Sequence, residues 1–151
     1  MKINEIIKEI IELENYCYFN VATDETFNET VKFFGTMPKD MQEFYKTFNG
    51  GLFFGFDFAS IQDKKYEYSF KELNKNKFKK ERYIPENVII FADTNYGDFV
   101  GYDIINNLII EVNPEANEDE WERYSTFTEF LDEFLKNSKK LIDEEVLEPL
   151  R

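Results

Sequence analysis

The residues best equipped for chemistry in this chain are carboxylates, and two groups of them stand out. Asp93-Thr94-Asn95-Tyr96-Gly97-Asp98 opens with the Asp-x-Asn spacing of a calcium loop. The rest of such a loop does not follow. Gly97 occupies the fifth ligand position, Asp98 replaces the required glycine, and Ile104 stands where the closing glutamate belongs. The spacing favours a β-turn in which Asp93 and Asn95 hold local backbone groups, and the alternative is a partner contact made by an exposed Asp98. The second group, Glu118-Asp119-Glu120-Trp121-Glu122, places four carboxylates around the only tryptophan. It reads either as a solvated acidic loop, with Trp121 a core residue of a last strand, or as a contact surface. In the second reading a large aromatic framed by acid anchors a basic partner. Carboxylate pairs also serve glycosidases and metal-dependent nucleases. With 31 acidic residues some pairs fall close by chance, and nothing in the spacing selects one.

Other nucleophiles and bases are scarce. There is no histidine, so no Ser-His-Asp triad or Cys-His dyad can form. A single cysteine, Cys17, excludes an internal disulfide and a cysteine-based zinc site, and is expected as a small buried hydrophobe. No catalytic residue, cofactor or metal is expected, and binding is favoured over catalysis. The formal net charge of −13 repels nucleic acid and attracts basic proteins. That charge is segregated. Residues 64–82 carry 8 basic and 3 acidic side chains (+5), which leaves −18 on the remainder. This basic run reads as a solvated loop.

The elements that must position these groups follow from periodicity. Ile3, Ile6, Ile7, Ile10 and Ile11 mark an opening amphipathic helix, with Asn4 as its cap. After an extended stretch at 16–22, Thr23 or Asp24 caps a second helix that Gly35 stops. Pro38 starts a third, whose Met41, Phe44, Tyr45 and Phe48 share one face. Asn49-Gly50-Gly51 is expected to end it and lead into a strand at 52–58. Tyr66 to Phe70 reads as extended, and Ser69 to Glu72 as a capping box for a short helix. Strands at 88–92, 99–103 and 108–112, joined by tight turns, make an antiparallel meander. An edge strand at 121–124 follows. Thr126 to Glu129 then caps a helix bearing Phe127, Phe130, Leu131, Phe134 and Leu135, and Leu141 to Leu147 allows one more short helix. Helices first, strands in the middle and helices last predict a single α+β domain with a central antiparallel sheet over residues 1–151. Hydrophobic content of 42%, with 17 Phe and 9 Tyr, supplies the core. No apolar run reaches spanning length and no leader pattern opens the chain, so a cytoplasmic location is expected.

Three motifs in order carry a resemblance: Met37-Pro38…Phe44…Asn49-Gly50-Gly51; Ile90-Phe91-Ala92-Asp93…Gly97-Asp98…Tyr102-Asp103; and Ser125-Thr126-Phe127…Phe130-Leu131. Together they resemble the SUKH superfamily, which includes yeast cell-wall-assembly regulators and many bacterial immunity proteins. The likeness covers residues 25–136, with Met37 in place of the usual leucine, a volume-conserving change. The tail at 137–151 lies outside it. The resemblance implies a central sheet between N-terminal and C-terminal helices. It also implies tight binding, inside the producing cell, to a cognate secreted or contact-dependent toxin, commonly a nuclease, with no cofactor. An intracellular scaffold or regulator without a toxin partner is the alternative. Joined to the charge, it points to a surface of Asp98, Glu118, Asp119, Glu120, Trp121 and Glu122 that occludes a basic active cleft.

Overall fold

A computed structural model of the chain describes residues 1–62 and 68–150. Helix α1 (Ile3–Glu12) is capped from Lys2 rather than Asn4, and buries Ile6, Ile7 and Ile10. Strand β1 (Cys17–Val21) follows, with Cys17 buried. Thr23 caps helix α2 (Asp24–Phe34), its hydroxyl accepting from Thr26 N, and Gly35 closes it. Helix α3 (Lys39–Thr47) starts one residue after Pro38 and buries Met41, Phe44 and Tyr45, with Phe48 continuing the same apolar face.

The expected turn at Asn49-Gly50-Gly51 is strand instead. The helix passes directly into β2 (Phe48–Phe53), and the apolar stretch to Phe58 splits into a hairpin with β3 (Phe56–Phe58). Phe54 and Gly55, at φ 49° and 89°, form the turn, and positive φ at both central residues matches the twist of paired strands. Gly51 is needed for closeness. A Cβ there would lie 2.4 Å from Tyr18 O and 2.5 Å from the Phe19 Cα, in strand β1 beside it. Asn49 is buried and works through its side chain: its Oδ1 accepts from Ile61 N, and its Nδ2 donates to Gln62 Oε1.

The capping box at Ser69 opens helix α4 (Phe70–Leu73). Of the expected extended piece at 66–70, residues 66 and 67 lie outside the described residues; Ser69 makes an isolated bridge to Ser60. Of the basic run, residues 64–67 lie outside the described residues; the rest is not a simple solvated loop, because residues Asn76–Glu81 form helix α5. The reason lies in the brevity of β3, whose β4 side reaches just Asp93 and Ala92 of β4 (Val88–Asp93). The rest of that β4 edge would leave buried backbone groups without partners. Asn74 supplies both partners for Ile90, donating to its carbonyl at 2.8 Å and accepting its N–H at 2.7 Å. The buried Lys79 ammonium donates to Val88 O and to Glu86 O. Burial lowers the pKa of that ammonium, with Glu86 opposing the shift.

Strands β5 (Phe99–Asp103), β6 (Leu108–Val112) and β7 (Glu122–Tyr124) complete, among the described residues, an antiparallel sheet of seven strands, each paired with its sequence neighbour. Helix α6 (Phe127–Asp143) closes the chain. It absorbs Leu141 and Ile142, so the separate short helix expected at 141–147 does not form; Glu145 has φ 59°. The architecture is α+β, with helices of both ends of the chain packed on the sheet. Phe44 is the hub of that packing, its ring within 5.0 to 5.7 Å of Phe48, Phe53, Phe58 and Phe127. Each such buried ring contributes roughly 1.5–3 kcal/mol through removal of apolar area from water. On the opposite sheet face Phe78 of α5 meets Phe99 edge-on at 5.4 Å, and the Arg82 guanidinium lies 3.7 Å from the Phe78 ring centre.

Candidate partner-binding surface

In an antiparallel meander, alternate connections leave the sheet at the same end. The β2–β3 turn, the β4–β5 turn and the β6–β7 connection therefore cluster, and with the first residue of β7 they hold every residue expected to contact a partner. Asn95 ties the first two together: its Nδ2 donates to Gly55 O at 2.6 Å and to Asp57 Oδ2 at 3.0 Å. Asp93 Oδ1 accepts from Asn95 N at 2.8 Å. Thr94 donates to Asp98 O and accepts from Asp98 N, closing the turn. The Asp93–Asp98 segment is thus a self-bonded β-turn, as its spacing indicated. No group of three or more metal-ligating side chains is gathered among the described residues.

Asp98 is half-buried in that turn, not fully exposed as the partner-contact reading expected, because the turn folds over it. Burial, then the Glu115 charge, raises its carboxyl above the ordinary range. Glu118, Asp119 and Glu120 form one exposed 3-10 turn, and Glu122 is exposed at the start of β7. Trp121 takes the core alternative. It is 6% exposed, and its Nε1 donates to Asn113 O at 2.8 Å, pinning the two ends of the acidic connection. The indole therefore supports the acidic turn from beneath and does not project from it.

Four further residues join this end. Glu111 faces Glu122 directly across β6 and β7, a pair of like charges. Tyr96 OH donates to Glu111 Oε1 at 2.5 Å. Burial raises the Glu111 carboxyl, and Asp98, Glu122 and Glu133 push it further against the Tyr96 bond. The Tyr96 phenol is raised by burial, then by its bond to Glu111 and that residue's charge. The Tyr124 phenol is raised by burial, then by the charges of Glu133, Glu111 and Glu122. None of the ion pairs among the described residues includes Asp98, Glu111, Glu122 or Glu133. A cavity of about 170 Å³ opens between these groups and α6, lined by Phe54, Phe56, Tyr96, Glu111, Tyr124 and Glu133 among others. The signal for Glu111 was present in the sequence, since it stands two residues after the buried Ile109 and so shares its inward face. Tyr96, Tyr124 and Glu133 carried no such mark.

A second cavity, of about 260 Å³, is lined by Met37, Asp40, Tyr102, Asn107 and Phe127 among others. Its carboxylate is already engaged. Asp40 Oδ2 accepts from both Thr128 N and Thr128 Oγ1 at 2.8 Å, in the first turn of α6. Among the described residues no helix is long and apolar enough to cross a membrane.

No match is found among curated proteins. The model of the family SUKH_6, described as SMI1-KNR4 cell-wall, matches residues 24–131. That span runs from the first turn of α2 through strands β2 to β7 and into α6, taking in the three turns that gather at the acidic end. By a match over most of its length, this chain belongs to the SUKH_6 (SMI1-KNR4 cell-wall) family.

Proposed function

We propose that this chain is an immunity protein that binds a cognate secreted or contact-dependent toxin, a basic nuclease, and occludes its active site. Immunity is the usual role in its family. The observation that carries the finer reading is the acidic end of the sheet. Asp98, Glu118, Asp119, Glu120 and Glu122 lie there with Glu111 and Glu133, with no ion-paired cation among the described residues. A nuclease cleft must accept phosphates, so it is basic, and a dense carboxylate surface matches it without offering a scissile bond. The lack of histidine removes the commonest general base and agrees with a binding role.

The test is a double charge reversal, Asp119→Lys with Glu120→Lys, assayed against the toxin encoded beside this gene. Both positions are exposed, so the fold should keep its melting temperature. Affinity should fall by about 10- to 1,000-fold, and protection on co-expression should be lost. Unchanged affinity and protection would move the contact to another surface. Failure of the unaltered chain to protect against any neighbouring toxin would favour the scaffold role instead. Trp121 is left intact in this test because its removal would cost about 3–5 kcal/mol of stability by itself.

A further inference from the structure

We propose that the cleft between the sheet end and α6 receives an arginine side chain of the partner protein. This rests on the reading of the acidic end as a partner surface, and names the contact that fixes its register. The cleft has two kinds of wall. One is a continuous run of rings: Phe56 lies 4.6 Å from Phe134 and 5.8 Å from Tyr96, Phe134 stacks on Phe130 at 6.0 Å, and Tyr124 lies 5.5 Å from Phe130. The other is carboxylate, from Glu111 and Glu133.

A neutral occupant would leave these carboxylates repelling one another in a partly dry site. A cation relieves that repulsion. Its size is limited by the cavity of about 170 Å³, well under the roughly 300 Å³ at which small-molecule pockets begin. One side chain fits that space better than a cofactor does. Among cationic side chains, the planar, weakly hydrated guanidinium suits a site with both ring faces and carboxylate forks; an ammonium also donates hydrogen bonds, but it is strongly hydrated and has no flat face or fork to match them. The same chemistry operates inside this molecule, where Arg82 lies over Phe78.

The test needs no toxin. Nα-acetyl-arginine amide is titrated into the full chain and followed by NMR, with the neutral isostere Nα-acetyl-citrulline amide as control. Arginine amide should give saturable shifts centred on Tyr96, Glu111 and Tyr124, weakening as salt is raised. Citrulline amide should bind at least about tenfold more weakly, since it lacks the charge. Glu133→Gln should weaken arginine amide about fivefold or more while leaving the rest of the spectrum in place. Should that variant unfold, Tyr96→Leu, which removes an exposed ring of the other wall with no change in charge at neutral pH, should weaken arginine amide about twofold or more, and an unchanged affinity would overturn the site. Equal response to citrulline, shifts centred elsewhere, or no saturable shift would each overturn the arginine site. If the titration fails but the Asp119/Glu120 reversal abolishes protection, the arginine site falls and the immunity reading stands. If the titration succeeds and that double variant still protects, the immunity surface lies elsewhere, and an arginine site unconnected with it overturns the proposed contact.

Discussion

Glu111 and Glu122 oppose each other across the last strand pair, and sheet pairing ordinarily disfavours like charges there by about 0.2–1 kcal/mol. Glu111→Gln keeps an oxygen to accept the Tyr96 hydroxyl and removes the repulsion. Because the folded chain raises the Glu111 carboxyl, the folded state takes up that proton more readily than the unfolded state. Its contribution to stability is therefore most favourable below the ordinary carboxylate range. It is lost as pH rises through the raised folded value. The variant should be more stable than the parent at pH 7, by about 0.2–1 kcal/mol, with the difference closing below about pH 4. Denaturant titrations at the two pH values would check this, and an advantage that persisted in acid would rule out charge as its source. Asp103 behaves oppositely. Burial would raise it, but hydrogen bonds from Asn106 and Asn87 and from the Asn106 and Ile105 backbone N–H groups outweigh burial and hold it low. Its support of the β5–β6 turn is present above the ordinary aspartate pKa and lost as pH falls through the lowered one, equally in parent and variant. Of the residues at this end, the acidic identity of Asp98 and Glu118–Glu122 was legible in the sequence. The burial of Trp121 was not, because a large aromatic beside charges reads the same whether it faces a core or a partner.

Strand β2 shows how an element can depend on one atom. Gly51 sits at φ 144°, and an added Cβ would press on the backbone of β1. Gly51→Ala should cost roughly 3 kcal/mol or more, from backbone strain plus overpacking, and should lower the melting temperature sharply. A loss under about 1 kcal/mol would mean that β1 can move aside without consequence. Element existence was largely legible from period, since α1, α2, α3 and the β4–β6 meander fall where their apolar spacing puts them. Besides the separate helix expected at 141–147, which α6 absorbs, two elements were misread for physical reasons. The apolar stretch from Leu52 to Phe58 has strand character throughout, and only positive φ at Phe54 and Gly55 breaks it into a hairpin. Helix α5 looked like a basic loop because its purpose is remote: Asn74 and Lys79 complete the β4 edge that the three-residue β3 leaves short.

The charge of the whole molecule, −13, is not spread evenly, and the acidic end is where a basic partner would be drawn. Association with such a partner should therefore slow by at least about tenfold between about 20 mM and 500 mM salt, with dissociation changing far less. Stopped-flow mixing would measure both rates, and a salt-independent association rate would remove the electrostatic part of the proposed mechanism. Composition and periodicity by themselves determined that the chain is an acidic α+β domain, that histidine chemistry is excluded, and where α1, α2, α3 and the β4–β6 meander fall. The order of three motifs was enough to indicate the family. Only the tertiary structure decided that Asp98 and Glu118–Glu122 share one end of the sheet with Glu111, Tyr96, Tyr124 and Glu133, and that Trp121 lies beneath them. The physical reason is range. Helix and strand preference depend on neighbours within a few residues, whereas the shared end depends on the pairing order of seven strands, and the cleft on the packing of α6 against them.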